Sequence, residues 1–181
     1  MQVMDIMAST TNAIAEGEVM QLSNLYSHNI SEIEYLGTIE RKTARLFETA
    51  ARLGAVLAGS DSATERALAN YGLNLGIAFQ ISDDLLDYGP PSLALGKNPG
   101  DDLAEGKCTL PIIHALKHAS SSQKVVLQSA IANGDRTMIS EIQQIIESVG
   151  SVVYASKRAK EYCSIAKAQS QDTASNQFPI N

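Results

Sequence analysis

Apolar residues recur at helical spacing almost from one end of this 181-residue chain to the other, and the β-branched and aromatic runs that build strands are scarce. That periodicity predicts an all-α fold. Helical patterns are expected over about Met1–Tyr26, Ser31–Ala58, Ser62–Tyr88, Thr109–His118, Ser122–Ala132, Arg136–Val149 and Ser151–Ala168. Ser31 with Glu34 and Ser62 with Glu65 each read as a capping box, in which hydroxyl and carboxylate satisfy each other's backbone amides. Gly89-Pro90-Pro91 must end the third helix, because proline supplies no N–H and disfavours a helical predecessor. The stretch Gly89–Lys107 is then a polar, glycine-rich loop, long enough to be functional or disordered. Asn133-Gly134 marks a turn, and Gln169–Asn181 is expected to be a disordered polar tail.

Fourteen Lys and Arg against 20 Asp and Glu give a formal charge of -6, which argues against a phosphate-neutralising nucleic-acid surface. No apolar run reaches the roughly 18 residues a membrane span needs, and no secretory signal opens the chain. The expectation is a soluble, cytoplasmic protein. Cys108 and Cys163 have neither CxxC spacing nor nearby histidines, so neither disulfide nor zinc site is expected. His114 and His118 stand four apart without a third ligand, and are expected on a helix surface.

The most informative residues are Asp83, Asp84 and Asp87, within Phe79-Gln80-Ile81-Ser82-Asp83-Asp84-Leu85-Leu86-Asp87-Tyr88. At about 100° per residue, Asp83 and Asp87 fall about 40° apart, and Gln80 lies beside them. Carboxylates so placed repel, more strongly when partly buried, and Leu75, Ile77, Ile81, Leu85 and Leu86 make this helix apolar. The acidic face is therefore expected to border an interior cavity, with a cation in compensation. Oxygen ligands of this density suit Mg²⁺, which is held by one or two carboxylates plus a substrate's phosphates; a solvated acidic face remains the alternative on spacing alone. Lys97, Asp101, Asp102 and Lys107 follow in a loop whose glycines allow close backbone approach to a ligand. Lysines beside a metal site point to a diphosphate. Lys42-Thr43 adds a cation and a hydroxyl, although a lysine inside a helix is by default solvated.

These residues resemble the trans-type isoprenyl (polyprenyl) diphosphate synthases, and most of all the long-chain members that make the side chain of respiratory quinones such as ubiquinone. The resemblance is carried by Gly17-Glu18 with Gln21, Lys42-Thr43-Ala44, Phe79-Gln80 with Asp83-Asp84-Leu85-Leu86-Asp87, and Gly96-Lys97 through Gly100-Asp101-Asp102 to Lys107 and Thr109-Leu110-Pro111. It covers about Met1–Ala168 and implies a helical bundle around a central cavity. It also implies a homodimer that condenses an allylic diphosphate with isopentenyl diphosphate, with a product that passes on to the membrane. By that resemblance Asp83, Asp84 and Asp87 hold Mg²⁺ on the allylic diphosphate, and Lys42, Lys97 and Lys107 contact its oxygens. Asp101 is an outer ligand through water. Thr43 and Gln80 face the reacting carbon, and Phe79 either lines the cavity or is plain core. Chemistry agrees with these roles: breaking the allylic C–O bond leaves a carbocation and a diphosphate, so charges that neutralise the departing oxygens lower the barrier.

Family members carry a first Asp-rich motif on an earlier helix, whereas the only aspartates before Asp83 are Asp5 and Asp61. The chain is therefore expected to be the C-terminal portion of a synthase domain, unable by itself to condense its substrates. A non-catalytic homologue that partners another prenyltransferase chain is the alternative.

Overall fold

The computed structural model describes residues 1–89 and 99–177, the last seven by their backbone alone. Every regular element among them is helical: α1 (Gln2–Ser23), α2 (Glu32–Ile39), a π-turn (Glu40–Ala44), α3 (Arg45–Leu57), α4 (Ser62–Leu86), α5 (Asp101–Ala104), α6 (Leu110–His118), α7 (Ser121–Asn133), a 3₁₀ turn (Arg136–Met138), α8 (Ile139–Ser148) and α9 (Ser151–Gln177). The expected all-α class is what folds. Among the described residues no helix is long and apolar enough to cross a membrane.

Several boundaries differ from the sequence reading, each for a local reason. The box at Ser31 forms: its Oγ accepts from the Glu34 amide at 3.2 Å while the Glu34 carboxylate accepts from the Ser31 amide at 2.8 Å. The box at Ser62 does not. Asp61 caps α4 instead, its carboxylate accepting from the Thr64 amide at 2.8 Å, and Glu65 is drawn to the Arg52 guanidinium at 2.7 Å. An unforeseen box joins Ser120 and Gln123 at the start of α7. The expected 89–107 loop holds one helical turn, α5, and α9 runs beyond Ala168 to Gln177.

Two compact units are present, and their boundaries fall inside α1, α2, α4 and α9. The first comprises Met1–Val19, Gly37–Gln80 and Ala159–Asn181. Its defining feature is the π-turn that interrupts the helix expected to run unbroken over Ser31–Ala58. A π-turn is wider than an α-turn, so its neighbours must give room. Glycines supply it on two sides: a methyl on Gly17 would overlap the Lys42 backbone nitrogen, and one on Gly76 would overlap Ala44. One turn earlier on α4, a methyl on Gly72 would overlap the Phe47 carbonyl oxygen and the Glu48 Cα. These glycines let helix backbones touch where any side chain would hold them apart.

The second unit comprises Met20–Leu36 and Ile81–Arg158. Its core is aliphatic, with Ile81, Leu103, Leu110, Ile112, Leu127, Ile131, Ile142 and Ile146 wholly buried. Glu32 of α2 ties to α9, accepting from the Tyr154 hydroxyl at 2.6 Å and from the Arg158 guanidinium at 3.0 Å. His114 and His118 stack at 4.1 Å between centroids, His114 also stacks on Tyr154, and His114 Nδ1 lies 2.9 Å from the Ser151 hydroxyl. The pair is thus part of the packing between α6 and α9, with only His118 on the exposed surface the sequence led us to expect for both.

Candidate active site

In the first unit, the π-turn carries Lys42 and Thr43, and the Gly76 contact presses α4 against that turn. The result is a hydrogen bond across 37 residues: the Thr43 hydroxyl donates to the Gln80 side-chain oxygen at 3.0 Å. Lys42 reaches Glu18 at 3.2 Å, which gives Gly17-Glu18 a physical meaning, since the glycine admits the π-turn and the glutamate meets its lysine. Phe79 is neither plain core nor isolated: it is 52% exposed, and its ring lies 5.3 Å from that of Phe47.

In the second unit, the end of α4 presents the three aspartates in unequal settings. Asp83 is half-exposed, whereas Asp84 and Asp87 are buried. The Tyr35 hydroxyl of α2 donates to Asp84 at 2.6 Å. Both oxygens of Asp87 accept amides from the first residues of α5, Asp101 at 3.0 Å and Asp102 at 3.2 Å. These bonds satisfy donors that begin a helix and explain why a turn of helix appears in an otherwise loop-like sequence. Lys107 is held by Glu105 at 2.7 Å and Asp102 at 3.1 Å; burial alone would lower its pKa, but these two carboxylates raise it. Asp101, expected as an outer metal ligand, pairs with Arg136 at 2.9 Å. Lys97 lies outside the described residues.

Burial, and then the negative charge of Asp102, push Asp87 up from 3.8 to about 6, against the amide bonds that lower it. Between those values the folded chain holds a proton that the unfolded chain has released. Asp87 therefore stabilises the fold most at low pH, and that contribution is lost as pH rises through about 6. The expected result is that the wild-type urea midpoint falls, relative to Asp87→Asn, between pH values on either side of this window.

Among the described residues no group of three or more His, Cys, Asp or Glu side chains forms a metal cage. Asp84 and Asp87 accept from protein donors. A magnesium ion nevertheless fits the donor set present, since this cation retains waters and needs only one or two carboxylates when phosphate oxygens complete its shell.

A profile described as "Polyprenyl synthetase" matches residues 1–149. The chain belongs to the polyprenyl synthetase family. It is 48% identical to octaprenyl diphosphate synthase of Haemophilus influenzae over 162 residues, which are 89% of this chain and 49% of that protein. It is 43% identical to the Escherichia coli octaprenyl diphosphate synthase, over 89% of this chain and 50% of that one. A crystal structure of polyprenyl synthase from Caulobacter crescentus complexed with calcium and isoprenyl diphosphate superposes with a TM-score of 0.90 at 39% identity, covering 100% of this chain and 54% of that one. This polyprenyl synthetase chain thus spans about half the length of the curated relatives it matches. The Gly72 and Gly76 contacts were not read from the sequence, although their four-residue spacing inside a helix was a visible signal. Nothing in the sequence pointed to Tyr35 as a partner of Asp84.

Proposed function

We propose that this chain carries the allylic-diphosphate side of a prenyltransferase site that condenses an allylic diphosphate with isopentenyl diphosphate into a long-chain polyprenyl diphosphate. The observation that carries the reading is the Thr43–Gln80 hydrogen bond, which joins two separate motifs at the acidic helix. Octaprenyl diphosphate synthases among the relatives support the substrate class. Mg²⁺, when bound, neutralises the leaving diphosphate. Asp83, with Asp84 and Asp87 on the same helix, would hold that ion. Lys42, Lys107 and Lys97 provide positive charge for the diphosphate oxygens. Thr43 and Gln80 orient their dipoles toward the reacting carbon, where positive charge develops. A role in quinone side-chain synthesis and a cytoplasmic homodimer are the remaining parts of the proposal, and rest on the family resemblance.

Calorimetry of the 181-residue chain with inorganic diphosphate tests this reading. Binding is expected to require Mg²⁺ and to weaken about tenfold or more in Asp83→Ala and in Lys42→Ala, the loss of a charge-assisted contact to the ligand. Unchanged affinity in both variants would leave the acidic helix without a ligand-binding role.

A further inference from the structure

The three aspartates are not equivalent, and the difference comes from what holds each one. Asp84 is 5% exposed and Tyr35, whose hydroxyl lies 2.6 Å away, is 6% exposed, so the bond is a buried, charge-assisted one. A carboxylate without such a donor would be costly in that position. Three residues on, Asp87 is fixed by the α5 amides. Residues three apart on a helix share a side, so α4 is pinned at two successive points along one edge. Asp83 lies about 100° round from Asp84 and keeps partial exposure. Pinning that edge restricts rotation of the helix end on which Asp83 stands.

We infer that Tyr35 is a positioning residue for the metal–diphosphate site, acting through Asp84 to aim Asp83. The inference rests on the functional reading above and adds a residue to it. Tyr35 itself sits on a braced element: α2 begins at the Ser31–Glu34 box and is tied by Glu32 to Tyr154 and Arg158. The phenol is therefore a fixed post rather than a mobile donor. Partners of this kind, one step removed from a metal, typically change its affinity by about 10–100-fold.

The experiment measures Mn²⁺ binding by the 181-residue chain in the presence of inorganic diphosphate, by electron paramagnetic resonance, with thermal melts alongside. Tyr35→Phe is expected to weaken binding about tenfold. Ser120→Ala removes the α7 capping box, which takes no part in bracing α2, and is expected to leave affinity unchanged. Asp83→Asn should weaken binding more than Tyr35→Phe does, and adding Tyr35→Phe to it should cause no further loss, because the phenol acts only through that carboxylate. Asp84→Asn keeps an acceptor for the phenol but removes a charge near the ion, and is expected to bind more weakly than wild type and better than Asp83→Asn; it also carries the test should Tyr35→Phe fail to fold. Wild-type affinity in Tyr35→Phe beside a weakened Asp83→Asn would overturn the positioning role while leaving the metal reading intact. So would an Asp84→Asn as weak as Asp83→Asn. An Asp83→Asn that binds like wild type would overturn the metal reading itself.

Discussion

Gly72→Ala is expected to destabilise the chain by about 3 kcal/mol, although alanine in place of glycine inside a helix ordinarily stabilises by up to about 1 kcal/mol. The sign reverses because the new methyl would meet the Phe47 carbonyl oxygen and the Glu48 Cα, which are backbone atoms that cannot rotate away. The helices must separate, and the packing of the first unit loosens with them. Gly76→Ala should act similarly through Ala44, and in addition stretch the Thr43–Gln80 bond and weaken diphosphate binding. Urea unfolding followed by circular dichroism gives the sign directly: a midpoint at or above wild type for Gly72→Ala would mean that α3 and α4 are not in backbone contact.

Glu32→Ala has the second-largest expected effect, a loss of about 2–3 kcal/mol. Glu32 receives bonds from Tyr154 and Arg158, more than 120 residues away in sequence, and its side chain is only 19% exposed. Its removal takes two bonds from α2 and leaves the Arg158 guanidinium, itself 27% exposed, without this partner. Tyr154→Phe removes one bond and no charge, and is expected to cost about 1 kcal/mol. Comparable losses in the two variants would assign the stabilisation to the phenol and not to the ion pair.

The fold class was legible because helical periodicity is a local property, written every three or four residues. Local punctuation was legible too: Gly134, at a φ of 58°, ends α7 where Asn133-Gly134 marked a turn, and the Ser31–Glu34 box formed. The π-turn was not, because Glu40–Ala44 has ordinary helical composition, and what widens the turn is space left by Gly17 and Gly76 on other helices. The site divides in the same way. Spacing singled out Asp83, Asp84 and Asp87, but it gave them one shared setting. Their different surroundings come from Tyr35 and from the amides of α5, which lie 49 and 14–15 residues away in the chain. Periodicity on a single helix cannot report such partners.

The two thiols offer a practical handle. Cys108, between α5 and α6, is 6% exposed, and burial pushes its ionisation up to about 12, while Cys163 on α9 is half-buried. An alkylating reagent needs an accessible thiolate. In the native chain it should therefore label Cys163 first. Slow modification of Cys108 then becomes a clock: each event records an opening of the segment that joins α5 to α6.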